Sequence, residues 1–368
     1  MWIYENKNWP NFIWDEKNIS KKLINIRHFQ GKLLGKMENI SFDLQSEANL
    51  KTLTNDIIKS SIIEGENLSF NEVRSSLARH LGIDIGGLIT ISHNVDGIVN
   101  VILDATKNFN KPLTKNRLFD WHGALFPTGR SGINKITVGN WRSSKSGPMQ
   151  IVSGIFGKET VHFEAPHADS IHQEMKLFLE WFEKDNSIDP LLKAGIAHFW
   201  FVTVHPFDDG NGRIARAIAD LALTRADNTP NRFYSLSTQI ELERQEYYNL
   251  LEKQQTGSLD LSPWLNWFLD CTDRAILNAN ETLKKVLLKA TIWSEINKLS
   301  INKRQRLIIN KMLEDDFKGY MNSSKYSKLT KCSNDTALRD IKVLQSYKIF
   351  IKNLSGGRST SYRLSFLD

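Results

Sequence analysis

Cysteine is scarce: Cys271 and Cys332 are the only two in 368 residues. Two thiols cannot build a disulfide framework or a cysteine-rich zinc site, so both read as packing residues in a reducing compartment. Long apolar runs are missing too. The most apolar stretch, Ala194 to Val204, is interrupted by His198 and falls well short of the ~20 residues that cross a bilayer. No membrane span is expected. The N-terminal run MWIYENKNWPNFIWDEKN mixes aromatic and charged side chains without the apolar core of a secretory signal, and a cytoplasmic location is the expectation. Internal repeats and low-complexity segments are absent. With 40% hydrophobic and 24% charged residues, 9 Pro and 21 Gly, the chain is close to the soluble average, which excludes disorder as the default.

What is present is a long chain with an uneven charge. Its length predicts two or three domains, each with its own core. The net charge of +7 hides a division: residues 296–368 hold 15 Lys and Arg against 6 Asp and Glu, a surplus of +9, and residues 1–295 carry −2. So local an excess suits an anionic partner, although a charge run is commonly only a solvated face.

Apolar residues recur at helical spacing through most of residues 1–290. One helix includes Ile19, Leu23, Ile26, Leu33, Leu34 and Met37; a second starts near Ala48 and ends at Gly65, a residue able to turn left-handed. Ser69 with Glu72 has the spacing of a capping box opening a third helix. Asp189 before Pro190 reads as a helix start, with a capping carboxylate and proline at the first helical position. Between Gly129 and Pro166 the runs Met149 to Val152 and Thr160 to Phe163 flank Gly154 and Gly157, which predicts a β-hairpin. Texture changes again near Lys298. The predicted divisions are residues 1–90, 91–295 and 296–368, in a mainly α protein with a small α+β domain at the C-terminus.

The segment HPFDDGNGRIAR, His205 to Arg216, gathers a base, a carboxylate, a Gly-flanked amide and two arginines within twelve residues. Backbone N–H groups at Gly210, Asn211 and Gly212, ahead of a helix predicted to start near Arg213, would form an anion cradle at the positive end of the helix dipole. Glycine there lets main chain approach a phosphate closely. Arg213 and Arg216, three apart, project from one turn and can fork onto phosphate oxygens. Asp209 offers a hard oxygen suited to Mg2+, and His205 a base that titrates near neutrality. Singly, each residue is more often structural: histidine caps helices, Gly-Asn-Gly makes turns, and two arginines in a first turn oppose the dipole. Together they supply the parts of phosphoryl or nucleotidyl transfer.

HPFDDGNGRIAR resembles the Fic signature, H-x-F-x-[DE]-G-N-G-R-x-x-R, at every defined position. The resemblance implies a Fic-type helical core with a β-hairpin flap, and transfer of AMP from ATP to a Ser, Thr or Tyr hydroxyl of a target protein. It assigns His205 as general base, Asp209 to Mg2+, Phe207 as loop anchor, and Asn211, the 210–212 backbone, Arg213 and Arg216 to phosphates. PMQIVSGIFGKETVHFEAP is similar to the Fic flap that receives a target segment by strand addition, with Val152, Ser153 and Gly154 as nucleotide contacts. GIFGKET inside it is not a P-loop, because only two residues separate its glycines. RQEYYNLLEKQQTG resembles the adenine-side helix, which puts Tyr247, Tyr248 and Gln255 beside the nucleotide; a Tyr pair on a helix is more often core.

Ser60-Ser61-Ile62-Ile63-Glu64-Gly65 matches the inhibitory pattern [ST]-x-x-x-E-[GN] of one Fic class. In that class the glutamate pairs with the second motif arginine, here Arg216, and obstructs the γ-phosphate. The N-terminal eighty residues are similar to the helical segment of a bacterial Fic subgroup. Residues 300–364 resemble a winged helix found at the C-terminus of many Fic proteins: helices over Lys303 to Leu313, Ser324 to Leu329 and Asp335 to Gln345, then a wing carrying Arg358. Asn334, Thr336, Arg339 and Lys342 would face outward, toward double-stranded DNA or a docked protein. Three readings stay open: an autoinhibited AMP-transferase, an enzyme removing AMP at the same site, and a DNA-binding regulator whose Fic domain senses nucleotide. Self-modification and a homodimer are compatible with each.

Overall fold

A computed structural model describes residues 1–84, 89–144, 147–153, 160–185, 187–313, 317, 319–353 and 360–367. The chain divides into two compact units, Met1–Thr282 and Leu283–Asp368.

The first unit is helical. Its elements run α1 (Glu16–Glu38), α2 (Phe42–Ile63), α3 (Phe70–Leu81), α4 (His93–Lys107), α5 (Lys115–Leu125), β1 (Arg130–Ser131), β2 (Asn134–Lys135), β3 (Gln150–Ser153), β4 (Thr160–Glu164), α6 (Ile171–Lys184), α7 (Pro190–Val204), α8 (Asn211–Asp227), α9 (Leu236–Leu242), α10 (Arg244–Gln255) and the part of α11 (Ser262–Ile296) up to Thr282. The core is built around α7, whose residues are buried nearly all round, as expected of a helix apolar on every face. Asp189 caps it, its side chain accepting from Leu191 N–H at 2.7 Å. α6 and α8 pack against α7, and α4 and α5 pack against α8.

Local sequence explains most boundaries. α1 buries Ile19, Ile26, Leu33 and Met37 on one stripe. α2 begins at Phe42 behind the N-cap Ser41, six residues before the apolar spacing becomes visible at Ala48. The expected capping box at α3 is half formed. The Ser69 hydroxyl accepts from Glu72 N–H, but the Glu72 carboxylate accepts instead from the Ser92 N–H and hydroxyl, at 3.2 and 2.9 Å. A partner ahead of α4 has outcompeted the helix's own terminus. α8 starts at Asn211 rather than Arg213, with Gly210 as its N-cap.

The aromatic N-terminus is a buttress. Trp2 and Tyr4 meet Phe163 of β4 edge-on at 5.3 and 6.2 Å, and Trp9 and Phe12 pack on Trp200 of α7 at 6.1 and 5.6 Å. Trp9 Nε1–H also donates to Glu174 of α6 at 2.9 Å. One segment thus braces both the hairpin and the central helix. β3 and β4 pair antiparallel, Ile151 opposite Phe163 and Val152 opposite Val161, with a register shift between 151 and 152.

The second unit continues with α12 (Lys303–Met312), α13 (Ser323–Thr330), α14 (Asn334–Ser346) and the antiparallel pair β5 (Phe350–Lys352) and β6 (Tyr362–Leu364). Met321, just before α13, makes an antiparallel bridge to Tyr362 on the other side of β6. Ile308, Met321, Tyr326, Ile341, Leu344 and Phe350 form part of its core. Asp340, nearly buried, ties the helices together: it accepts from Arg304 at 2.8 Å, from Asn302 Nδ2 at 2.8 Å and from the Tyr326 hydroxyl at 3.1 Å. Burial opposes its charge, yet these donors hold its carboxyl below the usual range. Asn334, Arg339 and Lys342 are exposed on α14 while Ala337, Ile341 and Leu344 are buried. Thr336, expected outward, is half-buried and bonded to the Ser333 hydroxyl at 2.9 Å, because the N-cap captures it. Arg358 lies outside the described residues.

Candidate functional site

The loop between α7 and α8 is held in shape from below. His205 closes α7 in the left-handed conformation, φ 49° and ψ 60°, its N–H reaching Phe201 at 3.0 Å. Gly210 opens α8 at φ +79°, and a Cβ there would meet the Phe126 ring at 2.8 Å, so only glycine fits. Phe207 anchors the bend: it is fully buried and stacks on His122 at 4.2 Å, 7° from parallel. Trp141 closes the other side at 5.0 Å. The Asn211 amide clasps the loop, accepting from Phe207 N–H at 3.0 Å and donating to its carbonyl at 2.9 Å. The resemblance put Asn211 among the phosphate ligands; its side chain here is buried in closing the bend.

His205 Nδ1 faces the Val202 carbonyl at 3.3 Å. A carbonyl can only accept, so Nδ1 carries the proton and Nε2 keeps a free lone pair. Burial is the main force pushing its pKa down to about 4, and the Arg142 guanidinium adds to it, against the opposing pull of the Val202 bond, Glu64 and Asp209. The imidazole is therefore neutral at ordinary pH. Sequence reasoning missed Arg142. Its Nε–H donates to the His205 carbonyl at 2.8 Å, its Nη2 to the Pro166 carbonyl at 2.5 Å, and its backbone N–H to Pro206 at 2.9 Å. A left-handed non-glycine residue is unfavourable on its own, and these bonds hold it. No sequence motif marked this arginine; the only hint was its place after Trp141 in a glycine-rich stretch.

His122 was missed likewise. It accepts from Gly139 N–H at Nδ1 and donates from Nε2 to the Asp209 carbonyl, both at 3.2 Å, so a neutral ring fixes the loop's backbone. Burial keeps its pKa near 4. The Asp209 side chain is half-buried, accepting from Gly210 N–H and, through a short bond, from the Ser131 hydroxyl. Asp208 faces away, toward Thr137 N–H at 2.8 Å. No group of three or more His, Cys, Asp or Glu able to hold a metal occurs among the described residues. A partly exposed lone carboxylate fits an ion that takes its other ligands from phosphates and water, as Mg2+ does.

Both arginines are buried, and carboxylates from the end of α2 reach them. Arg216 donates from Nε to the Ser60 hydroxyl at 2.9 Å, and from Nη2 to the Ser60 carbonyl at 2.9 Å and Glu64 at 2.7 Å. Arg213 lies over the Phe126 ring and pairs with Glu66. The Glu64 carboxylate also covers Gly212, where a Cβ would sit 2.2 Å from its oxygen.

Of the remaining expected residues, both tyrosines lie within electrostatic reach of Arg216 and Glu64. Tyr247 is buried, its hydroxyl 2.9 Å from His198 Nε2. Gln255 is buried and donates to the Thr203 hydroxyl at 3.3 Å. The Tyr248 hydroxyl donates to the Ile63 carbonyl at 3.1 Å, at the end of the helix bearing Ser60. Val152 is exposed on the hairpin and Ser153 ends β3; Gly154 lies outside the described residues.

Residues 112–223 match the Fic/DOC family, and residues 2–83 match a domain of unknown function, DUF4172. The chain thus carries a Fic domain, framed by the loop just described. It is similar to protein adenylyltransferase fic-1 of Caenorhabditis elegans, 28% identical over 217 residues that make up 58% of this chain and 38% of that protein. Protein adenylyltransferase Fic of Nematostella vectensis is 24% identical over 228 residues, 60% of this chain and 47% of that protein. The chain therefore spans less than half the length of each. Its fold is shared with a Fic family protein from Desulfovibrio desulfuricans G20, at TM-score 0.50 and 19% identity over 94% of this chain and 96% of that one. A Fic domain containing signaling protein from Bacteroides thetaiotaomicron VPI-5482 gives 0.52 and 17%, over 71% and 98%. Among the described residues no helix is long and apolar enough to cross a membrane.

Proposed function

We propose that the chain is a protein adenylyltransferase, moving AMP from ATP to a hydroxyl of a target protein, and that Glu64 restrains it at rest. The observation carrying the reading is the orientation of His205, its Nδ1 committed to the Val202 carbonyl and its Nε2 lone pair available, one bend away from two buried arginines. In the reaction His205 Nε2 takes the proton of the target hydroxyl, whose oxygen attacks the α-phosphorus. The α-phosphorus bond to the bridging oxygen breaks, and pyrophosphate leaves with the electron pair. Arg213, Arg216 and the 210–212 main chain bind the phosphate oxygens electrostatically. Asp209 would hold Mg2+, which supplies charge neutralisation of the phosphate chain when bound. The Val152 to Gly154 stretch and Tyr248 are proposed nucleotide contacts, and Tyr247 and Gln255 supports behind them.

Glu64 blocks by holding the Arg216 fork that a γ-phosphate needs, with Ser60 holding the same guanidinium. Glu64→Gly should raise AMP incorporation from labelled ATP, and adding His205→Ala should then lower it by ~10²–10⁴-fold with ATP binding retained, the range for losing a general base. Equal labelling by Glu64→Gly with and without His205 would remove the enzymatic reading.

For the second unit we propose a winged helix that contacts duplex DNA. In support, α14 exposes Asn334, Arg339 and Lys342 together in a segment with a +9 surplus.

A further inference from the structure

The strap after α2 carries two carboxylates, not one. Gly65 takes φ +81°, a left-handed turn open to glycine. Main-chain bonds fix the strap on either side of it: Glu64 and Glu66 N–H groups both reach the Ser61 carbonyl, at 3.1 and 2.9 Å, and Gly65 N–H reaches Ile62 at 2.9 Å. The turn sends side chains 64 and 66 to different guanidinium groups in the first two turns of α8. Glu64 goes to Arg216; Glu66 goes to Arg213 with both oxygens on Nη1, at 3.0 and 2.9 Å.

Burial is unequal within each pair. The Arg213 side chain is 5% exposed and Glu66 40%, and Arg216 is 1% exposed against 30% for Glu64. The arginines belong to the core, whereas the carboxylates are partly open to water. The fit is also incomplete: Arg213 Nε and Arg216 Nη1 are buried with no hydrogen-bond partner. Buried guanidinium N–H groups left unpaired are unfavourable, so the pair of arginines has donors to offer beyond what two carboxylates use. A polyphosphate, with several oxygens on each phosphorus, matches that surplus.

From this we infer that Glu66 is a second lock on the phosphate-chain site, holding Arg213 as Glu64 holds Arg216, so that a triphosphate must displace both carboxylates. The inference rests on the reading that the loop takes ATP. It means that release of Glu64 alone leaves the site half closed.

The test compares the full chain as wild type, Glu66→Gln, Glu64→Gly, the double variant, and Glu64→Gly/Arg213→Ala with and without Glu66→Gln, by calorimetric titration with Mg-ATP and by AMP incorporation. Glu66→Gln keeps the side chain's size and removes its charge. In the Glu64→Gly background it should tighten ATP binding roughly three- to tenfold, the scale of a partly exposed charge-assisted pair, and the Arg213→Ala chain should lose that gain. A change below about twofold, or one that survives loss of Arg213, overturns the second lock. Should Glu64→Gly itself neither bind ATP nor incorporate AMP, the proposed function fails and takes this inference with it. Binding by Glu64→Gly with no further gain from Glu66→Gln removes Glu66 alone.

Discussion

Three histidines around the loop are neutral for separable reasons. His122 lends its Nδ1 lone pair to Gly139, His205 turns Nδ1–H to Val202, and His198, fully buried beside Tyr247, is pushed down to about 3 by burial with Arg216 adding to it. A histidine whose folded pKa lies below its unfolded value near 6.5 stabilises the fold fully above that value, and the contribution is lost as pH falls, because the unfolded chain then binds more protons. Stability to urea should therefore drop as pH falls from 6.5 toward 4, each fully buried ring contributing on the order of 1.4 kcal/mol per pH unit. His198→Phe cannot take a proton and should flatten that slope by about one such share, whatever its own effect on stability; an unchanged slope would show that His198 is not held neutral. The same residues mark how far a sequence can be read. His205, Asp209, Arg213 and Arg216 could be grouped as candidates because their types and spacing describe a chemistry, and the structure brings them to one loop and the start of one helix. The Asn211 side chain's clasp on Phe207 could not be foreseen, since an amide that binds phosphate and one that closes a bend look identical in one dimension. Arg142 and Glu66 gave no signal, because their partners lie 63 and 147 residues away in the chain.

At the scale of elements, periodicity located the amphipathic helices, and Asp189–Pro190 located α7, whose uniform burial leaves no stripe to find. Close crossings were invisible. α4 passes α5 so tightly that a Cβ at Gly97 would lie 1.9 Å from the Ala124 carbonyl oxygen and 2.9 Å from its carbon. Main chain cannot swing aside as a side chain does. Gly97→Ala should therefore destabilise the first unit by roughly 1–3 kcal/mol or more through overpacking, despite alanine's better helix propensity. Gly35, with nothing within 4 Å of its would-be Cβ in α1, supplies the control: Gly35→Ala should be neutral or stabilising by up to about 1 kcal/mol. Chemical denaturation of the two variants reads both signs, and an undamaged Gly97→Ala would mean that the crossing is looser than described. The flap shows the same limit. Its strands were legible as β-prone runs, but not the N-terminal aromatics that brace Phe163.

Across the whole molecule, chemistry and charge are segregated. Every residue of the proposed AMP-transfer site lies in Met1–Thr282, and the basic surplus lies wholly in Leu283–Asp368. The acids that might dilute that surplus are partly withdrawn: Asp340 is consumed internally by Arg304, Asn302 and Tyr326, leaving Asp335 as the one exposed acid of α14. Arg339 and Lys342, three apart, then dominate that helix face. Leu338 and Val343, 40% and 38% exposed beside them, are what a protein-docking face would use, so the two partner classes differ in what they would bury. If the face meets DNA, counterion release makes log affinity fall linearly with log salt, with a slope of about −0.9 per phosphate contacted. The full chain titrated with duplex DNA over a range of salt should show such a slope, and Arg339→Ala and Lys342→Ala should each make it shallower by about one contact. Leu338→Ala should leave the slope alone. An affinity indifferent to salt, or one that collapses with Leu338→Ala while tolerating both charge removals, would assign α14 to a protein partner instead.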